Sequence, residues 1–161
     1  MQNKELPLRP NVCMLVYNQE NRLFLGERAT EPDVWQFPQG GVDPGATEEE
    51  TVTKELHEEL GAPVGCFKIV SKLKAVHNYE FTNIPIYALG KWRGQAQTFW
   101  LVKFVGNDSQ FNLAHHVQEF MSWKWCSVNE VRALAESKRL PGYEPALKEF
   151  EEFLASDQII V

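Results

Sequence analysis

Between Gly45 and Pro63 the chain reads GATEEETVTKELHEELGAP, and this segment restricts the fold more than any other. Thr47 with Glu50 three residues later matches a capping box, in which each side chain satisfies the other's backbone N–H at a helix start. Val52, Leu56 and Leu60 recur every fourth residue and draw one apolar stripe. Gly61 supplies a C-terminal stop, and Pro63 prevents continuation. The spacing predicts a helix over 48–60 whose stripe must be buried against another element.

The surroundings supply a sheet. Asn11 to Tyr17 (NVCMLVY) reads as a buried strand, and Arg22 to Glu27 as its hairpin partner across the turn Asn18–Asn21. Ala29 to Asp33 is a polar loop, and Trp35 to Pro38 is short and extended. Cys66 to Ala75, Pro85 to Leu89, Gln97 to Val105 and Met121 to Cys126 have strand character, and 107–119 is polar and loop-like. Ser127 with Glu130 is a second capping box, opening a helix near 128–137. Pro141-Gly142 breaks the chain, and Leu147, Phe150, Phe153 and Leu154 form the apolar face of a terminal helix. Strands with few, dispersed helices point to an α/β or α+β layered domain with helices packed on a sheet.

At 161 residues the chain fits one domain, 1–161, with one sizeable core. Its net charge of -6 argues against a broad nucleic-acid surface, which needs many Lys and Arg, and so against DNA as a partner. Gripping one end of a nucleic acid needs only a few basic residues and a metal. Cys13, Cys66 and Cys126 lack metal-type spacing and are odd in number, so they read as small buried residues in a reduced compartment. The N-terminus lacks the apolar run of a signal peptide, and no stretch approaches the ~20 apolar residues of a membrane span. A cytoplasmic protein is expected; the oligomeric state is not legible.

Glu55, Glu58 and Glu59 stand at i, i+3 and i+4, so they share one face of the predicted helix, roughly opposite the stripe. Carboxylates this close repel. A hard divalent cation resolves the repulsion, because Mg²⁺ takes oxygen ligands, and it activates phosphoryl groups and water. Alone, the cluster reads equally as a solvated acidic face. The Gly40-Gly41 pair just ahead, where backbone can approach a metal or phosphate closely, favours a site.

The stretch from Gly40 to Ala62, with Lys54-Glu55-Leu56-His57-Glu58-Glu59-Leu60-Gly61 at its end, resembles the Nudix box without a gap. The resemblance implies a Nudix-like α/β/α sandwich with a mixed central sheet and an antiparallel sheet. It further implies Mg²⁺-dependent hydrolysis, with Mn²⁺ as a substitute, of nucleoside diphosphates linked to another group. Metal ligation would fall to Glu55, Glu58, Glu59 and the Gly40 carbonyl. Ala46 stands where the box has Glu, and Lys54 where it has Arg. The loop-to-helix brace is thereby weakened, with Glu50 or Glu58 as substitute partners for Lys54. These departures motivate a contrasting reading, a non-catalytic nucleotide-binding module, against which the intact carboxylate set stands.

Further segments resemble one branch of that family, the bacterial RNA pyrophosphohydrolases, closely related to dinucleoside polyphosphate hydrolases. They are Arg9-Pro10-Asn11-Val12, Trp35 to Gly41, Gly94 to Gln97, Glu119-Phe120-x-x-Trp123-x-Trp125, and Lys138-Arg139 followed by Tyr143. The branch implies a 5′-triphosphate RNA end as substrate, with diadenosine tetraphosphate as the alternative. Arg9 and Arg139 would neutralise phosphates, Arg28 would hold phosphate or stack on a base, and Gln39 would line the substrate site. Glu119 would reach the carboxylates from a loop, as a fourth ligand or general base. His57 is expected at the surface or behind the ligands, His115 and His116 in a polar loop, and most of Trp35, Phe99, Trp100, Trp123 and Trp125 in the core.

Overall fold

The computed structural model describes residues 5–159; residues 1–4, part of the stretch read above for a signal peptide, lie outside it. Strand β1 (Leu8–Tyr17) is the spine. One edge of it runs parallel to β6 (Gly94–Phe104), from Leu8 opposite Gly94 to Tyr17 opposite Lys103. The long β5 (Phe67–Glu80) pairs antiparallel with the far side of β6.

The other edge of β1 is divided. Its first half pairs with β4 (Gln39–Gly41) through Asn11–Gly41 and Cys13–Gln39. Its end meets β2 (Leu23–Arg28) at Tyr17–Leu23. Strand β2 carries β3 (Trp35–Gln36) and β7 (Phe120–Cys126), all antiparallel. The mixed portion and the antiparallel portion are thus joined through β1, which fits the α/β sandwich expected.

Helix α1 (Glu48–Leu60) covers one face, while α2 (Val128–Leu134) and α3 (Leu140–Ile159) cover the other. Alternation along β1 sorts the core. Val12, Met14 and Val16 meet Val52, Leu56 and Leu60 of α1. Cys13, Leu15 and Tyr17 meet Tyr143, Ala146, Leu147 and Phe150 of α3. A strand buried on both faces reads as an unbroken apolar run, as this one does. The three cysteines are free and buried, Trp35, Phe99 and Trp100 are core, and Trp123 and Trp125 pack partly buried around Phe24 and Phe111. Among the described residues no helix is long and apolar enough to cross a membrane.

Several expected boundaries shift. Residues 85–89 are not a strand: Pro85 opens a 3-10 turn over Ile86–Ala88, and Ile86 is 92% exposed. Ala88 is buried, but Ile86, Tyr87 and Leu89 are exposed, so the apolar character of the segment is not mainly core character. Strand β5 runs on to Glu80 and β6 begins at Gly94, so the connection between them is the segment 81–93. Pro141-Gly142 does not break the chain but lies in the first turn of α3, where a missing N–H costs nothing. Helix α2 stops at Leu134 because Ala135 turns extended and bridges to Trp35.

Candidate functional site

Helix α1 forms for the reasons its sequence announces. Thr47 Oγ1 accepts from the Glu50 N–H at 3.0 Å, and Glu50 Oε1 accepts from the Thr47 N–H at 2.9 Å. Gly61 ends it at φ 77°, a left-handed position, and a Cβ there would fall 2.2 Å from the Asn112 carbonyl oxygen. Glu48 adds a brace invisible in the sequence. Its Oε1 accepts from Thr98 Oγ1 at 2.7 Å and from Trp100 Nε1 at 3.0 Å, and Lys72 Nζ donates to Oε2 at 3.2 Å. Burial opposes its charge, but these donors together hold the Glu48 carboxyl below its ordinary range.

The carboxylate face does not lie opposite the apolar stripe, as expected, but beside it. At 100° per residue Glu59 sits only about 60° from Leu56, so it is carried into the interface with the sheet. It is 5% exposed, and its Oε2 is buried without a hydrogen-bond partner. The Gln39 N–H donates to the same carboxylate. Burial pushes the Glu59 carboxyl well above its ordinary value, and Glu55, Glu119 and Glu58 push in the same direction. Burial and then Glu58 push Glu55 up to about 7, with Lys54 opposing.

Strand β4 brings the other components. Its two glycines are approached from opposite faces: a Cβ on Gly40 would lie 2.4 Å from Glu55 Cδ, and one on Gly41 2.2 Å from Arg9 Cζ. Gln39 stands between the two faces, its backbone on Glu59 and its Oε1 accepting from Gln97 Nε2 at 2.8 Å.

Glu119 lies exposed just ahead of β7, its carbonyl accepting from the Ala29 N–H at 2.8 Å. Its charge is felt at both Glu55 and Glu59. The loop before it docks on α1: Asn112 N–H donates to Leu60 O at 2.7 Å, His115 packs on His57 at 4.7 Å, and His116 Nδ1 stands 3.8 Å from Glu58 Oε1. His57 Nδ1 is held by the Ala62 carbonyl at 3.0 Å. Lys54 pairs with neither Glu50 nor Glu58. Its partner is Asp43, at 3.8 Å, because Glu50 is spent in the capping box.

On the α3 face a polar layer interrupts the apolar strands. Asn11, Gln95 and Gln97 are at most 5% exposed. Gln97 Nε2 donates to Asn11 Oδ1 at 2.9 Å, and Gln95 Oε1 accepts from Tyr79 Oη at 2.8 Å. Arg9 borders this layer with its guanidinium 5.0 Å from the Tyr87 ring centre. Arg28 is tied to Glu31 at 3.1 Å and Gln36 at 3.4 Å, and Arg139 to Glu136 at 2.9 Å. Of the candidates, Arg9, Gln39 and Arg139 border the amide layer, Arg9 through Tyr87, Gln39 through Gln97 and Arg139 through its charge on Tyr79, whereas Arg28 is held by Glu31 and Gln36. Asn11, Gln95, Gln97, Tyr79 and Tyr87 were not picked out individually from the sequence. The available signal was amides at alternate positions of otherwise apolar strands.

Among the described residues no three His, Cys, Asp or Glu side chains already converge on one point. The donor set still suits a hard divalent cation. Every candidate is an oxygen, Glu59 presents a buried oxygen with no partner, and the neighbouring carboxyls repel until a positive charge or protons arrive.

A model of the NUDIX domain matches residues 7–150. An RNA pyrophosphohydrolase of Rickettsia canadensis is 34% identical over 153 residues, covering 93% of this chain and 94% of that protein. An Ap4A hydrolase of C. elegans superposes with a TM-score of 0.66 at 23% identity, over 91% of this chain and 98% of that one. The E. coli dihydroneopterin triphosphate pyrophosphohydrolase does so with a TM-score of 0.62 at 17% identity, over 86% and 96%. At such identities the two structures speak to the fold alone.

Proposed function

The chain belongs to the NUDIX domain family, and on that premise we propose that it is a Mg²⁺-dependent hydrolase that converts 5′-triphosphate RNA ends to monophosphates. The observation that carries the hydrolase reading is the buried, half-satisfied Glu59 carboxylate flanked by Glu55, Glu58 and Glu119. RNA as substrate rests on the 34% identity to the Rickettsia RNA pyrophosphohydrolase over nearly the whole of both chains. Mn²⁺ would serve in place of Mg²⁺. The setting we propose is the cytoplasm and the early steps of message decay.

Glu55, Glu58, Glu59, Glu119 and the Gly40 carbonyl would hold the metal. When bound, it offsets the charge that develops on the phosphoryl oxygens and favours ionisation of an attacking water. The residues do the rest. Glu58 and Glu119, the latter exposed, orient a water by accepting its proton. Arg9, Arg28 and Arg139 bind the polyphosphate, each guanidinium having donors beyond those already engaged. Gln39 fixes the distance between the amide-lined face and the carboxylates, since it touches both.

The test is turnover of triphosphorylated RNA against diadenosine tetraphosphate in Mg²⁺, with Glu59→Gln beside the wild type. Pyrophosphate or orthophosphate release from RNA, absent in Glu59→Gln, is expected. Fast cleavage of the dinucleotide with the RNA untouched would transfer the function to the dinucleoside polyphosphate class. Unchanged turnover in Glu59→Gln would remove the catalytic assignment.

A further inference from the structure

We propose that Tyr87, in the connection between β5 and β6, is a positioning residue that clamps Arg9 against the backbone of Gly41 and presents its guanidinium to the substrate's phosphate chain. The inference rests on the polyphosphate reading above and adds a residue outside every motif that led to it.

Three observations meet at Arg9. First, its guanidinium lies 5.0 Å from the Tyr87 ring centre, inside the ~6 Å at which a cation is held by an aromatic face. Second, it packs closely on backbone: a Cβ on Gly41 would fall 2.2 Å from Arg9 Cζ and 2.3 Å from Nη2. Third, Arg28 and Arg139 each have a carboxylate at 3.1 and 2.9 Å, whereas Arg9 has no acidic partner among the described residues. A carboxylate would hold the guanidinium equally well, but it would occupy the N–H groups that a phosphate needs and cancel the charge. A ring holds the flat faces and leaves the N–H edge unspent.

Tyr87 is itself fixed. Its hydroxyl accepts from Gln95 Nε2 at 3.1 Å, and Gln95 Oε1 accepts from Tyr79 at 2.8 Å. Gln95 is 5% exposed and sits opposite Arg9 in the β1–β6 register, so ring and guanidinium are referred to the same pair of strands. This also accounts for the 3-10 turn at Ile86–Ala88, which replaces the expected strand. The turn leaves Ile86 92% and Leu89 65% exposed and buries only Ala88, yet it brings the Tyr87 ring to Arg9.

The clamp makes Tyr87 act through Arg9 on substrate binding rather than on the chemical step. The experiment measures kcat and KM on triphosphorylated RNA for the full chain and for Tyr87→Phe, Tyr87→Leu, Arg9→Ala and the Arg9→Ala/Tyr87→Leu double variant. Calorimetric titration of the same proteins with inorganic tripolyphosphate in Mg²⁺ runs alongside, and melting curves confirm folding. Tyr87→Leu should raise KM and weaken tripolyphosphate binding roughly five- to tenfold, the scale of one cation–π contact. Tyr87→Phe, which keeps the ring, should stay within about twofold, and Tyr87→Leu should add nothing once Arg9 is Ala. The proposal is overturned if Tyr87→Leu changes neither quantity, if its effect is confined to kcat, or if it multiplies with Arg9→Ala. A wild type inert on triphosphorylated RNA would sink the substrate assignment instead, and the tripolyphosphate titrations would then decide the clamp by themselves.

Discussion

Replacing Glu55 by Gln should abolish hydrolysis and at the same time make the metal-free protein harder to melt. Burial and the neighbouring Glu58 raise the Glu55 carboxyl from 4.5 to about 7. A group that binds its proton more tightly when folded contributes stability that is fully present below its unfolded pKa, near 4.5, and is lost as pH rises to its folded value, near 7. At about 1.4 kcal/mol per unit the loss is at most about 3.5 kcal/mol, and roughly 3 kcal/mol once the solvent that reaches this partly exposed carboxyl is allowed for. For a domain of this size each kcal/mol shifts Tm by about 2–4 °C. In chelator near pH 8, Glu55→Gln should therefore melt about 6–12 °C above the wild type. Near pH 5 the gap should close to about 2 °C, because the folded carboxyl is then protonated and the pH lies only about half a unit above the unfolded pKa, so less than about 1 kcal/mol of the loss has set in. Millimolar Mg²⁺ should raise the wild-type Tm and leave that of the variant almost unmoved, since a ligand stabilises only the form that binds it. Thermal melts by circular dichroism at the two pH values decide the matter. A variant that melts no higher than wild type near pH 8, or by the same margin at both pH values, would refute the reasoning.

Three further outcomes follow from the same geometry. Glu48→Ala strips Trp100 Nε1 and Thr98 Oγ1 of their acceptor and should cost about 2–3 kcal/mol, read as a Tm fall of roughly 4–12 °C near pH 7. Because the Glu48 carboxyl is held below its ordinary value, its contribution is present above pH 4.5 and is lost as pH falls through the folded pKa, so the two proteins should converge in acid. Gly40→Ala sets a methyl 2.4 Å from Glu55 Cδ, so Glu55 must swing away; kcat/KM should drop on the order of 100-fold while the melt stays cooperative. Asp43→Ala should change urea stability by less than about 0.5 kcal/mol, since the Lys54–Asp43 pair is 3.8 Å apart and 56% and 63% exposed.

The fold was most legible where local chemistry decides it. Helix α1 and the β1 strand follow from a capping box, a stripe and an apolar run, and no tertiary contact overrides them. The segment 85–89 misleads because apolar residues need not be core residues; its setting in a turn goes with Pro85 and with the contact of Tyr87 to Arg9, 78 positions away in the chain. The site divided in the same way. The carboxylates are legible because helical spacing is fixed by geometry, and that spacing sets Glu59 beside the stripe rather than opposite it, which buries it. Of the amide layer only Gln39 was legible, because Asn11 and Gln97 join it only when three strands pair.

That distribution bears on Ala46 and Lys54, where the box departs from its family. The departure matters only if α1 depends on the lost brace while holding three like charges against the sheet. It does not. The helix is fixed at its start by Thr47 and Glu50 and by Glu48 on Thr98, Trp100 and Lys72, along its length by Val52, Leu56 and Leu60, and at its end by Gly61 under Asn112. Lys54 by contrast reaches Asp43 across solvent. A contact in that position contributes little to rigidity, so a chain braced elsewhere can dispense with the usual acid and arginine and still hold Glu55 and Glu59 where Gly40 and Gln39 meet them.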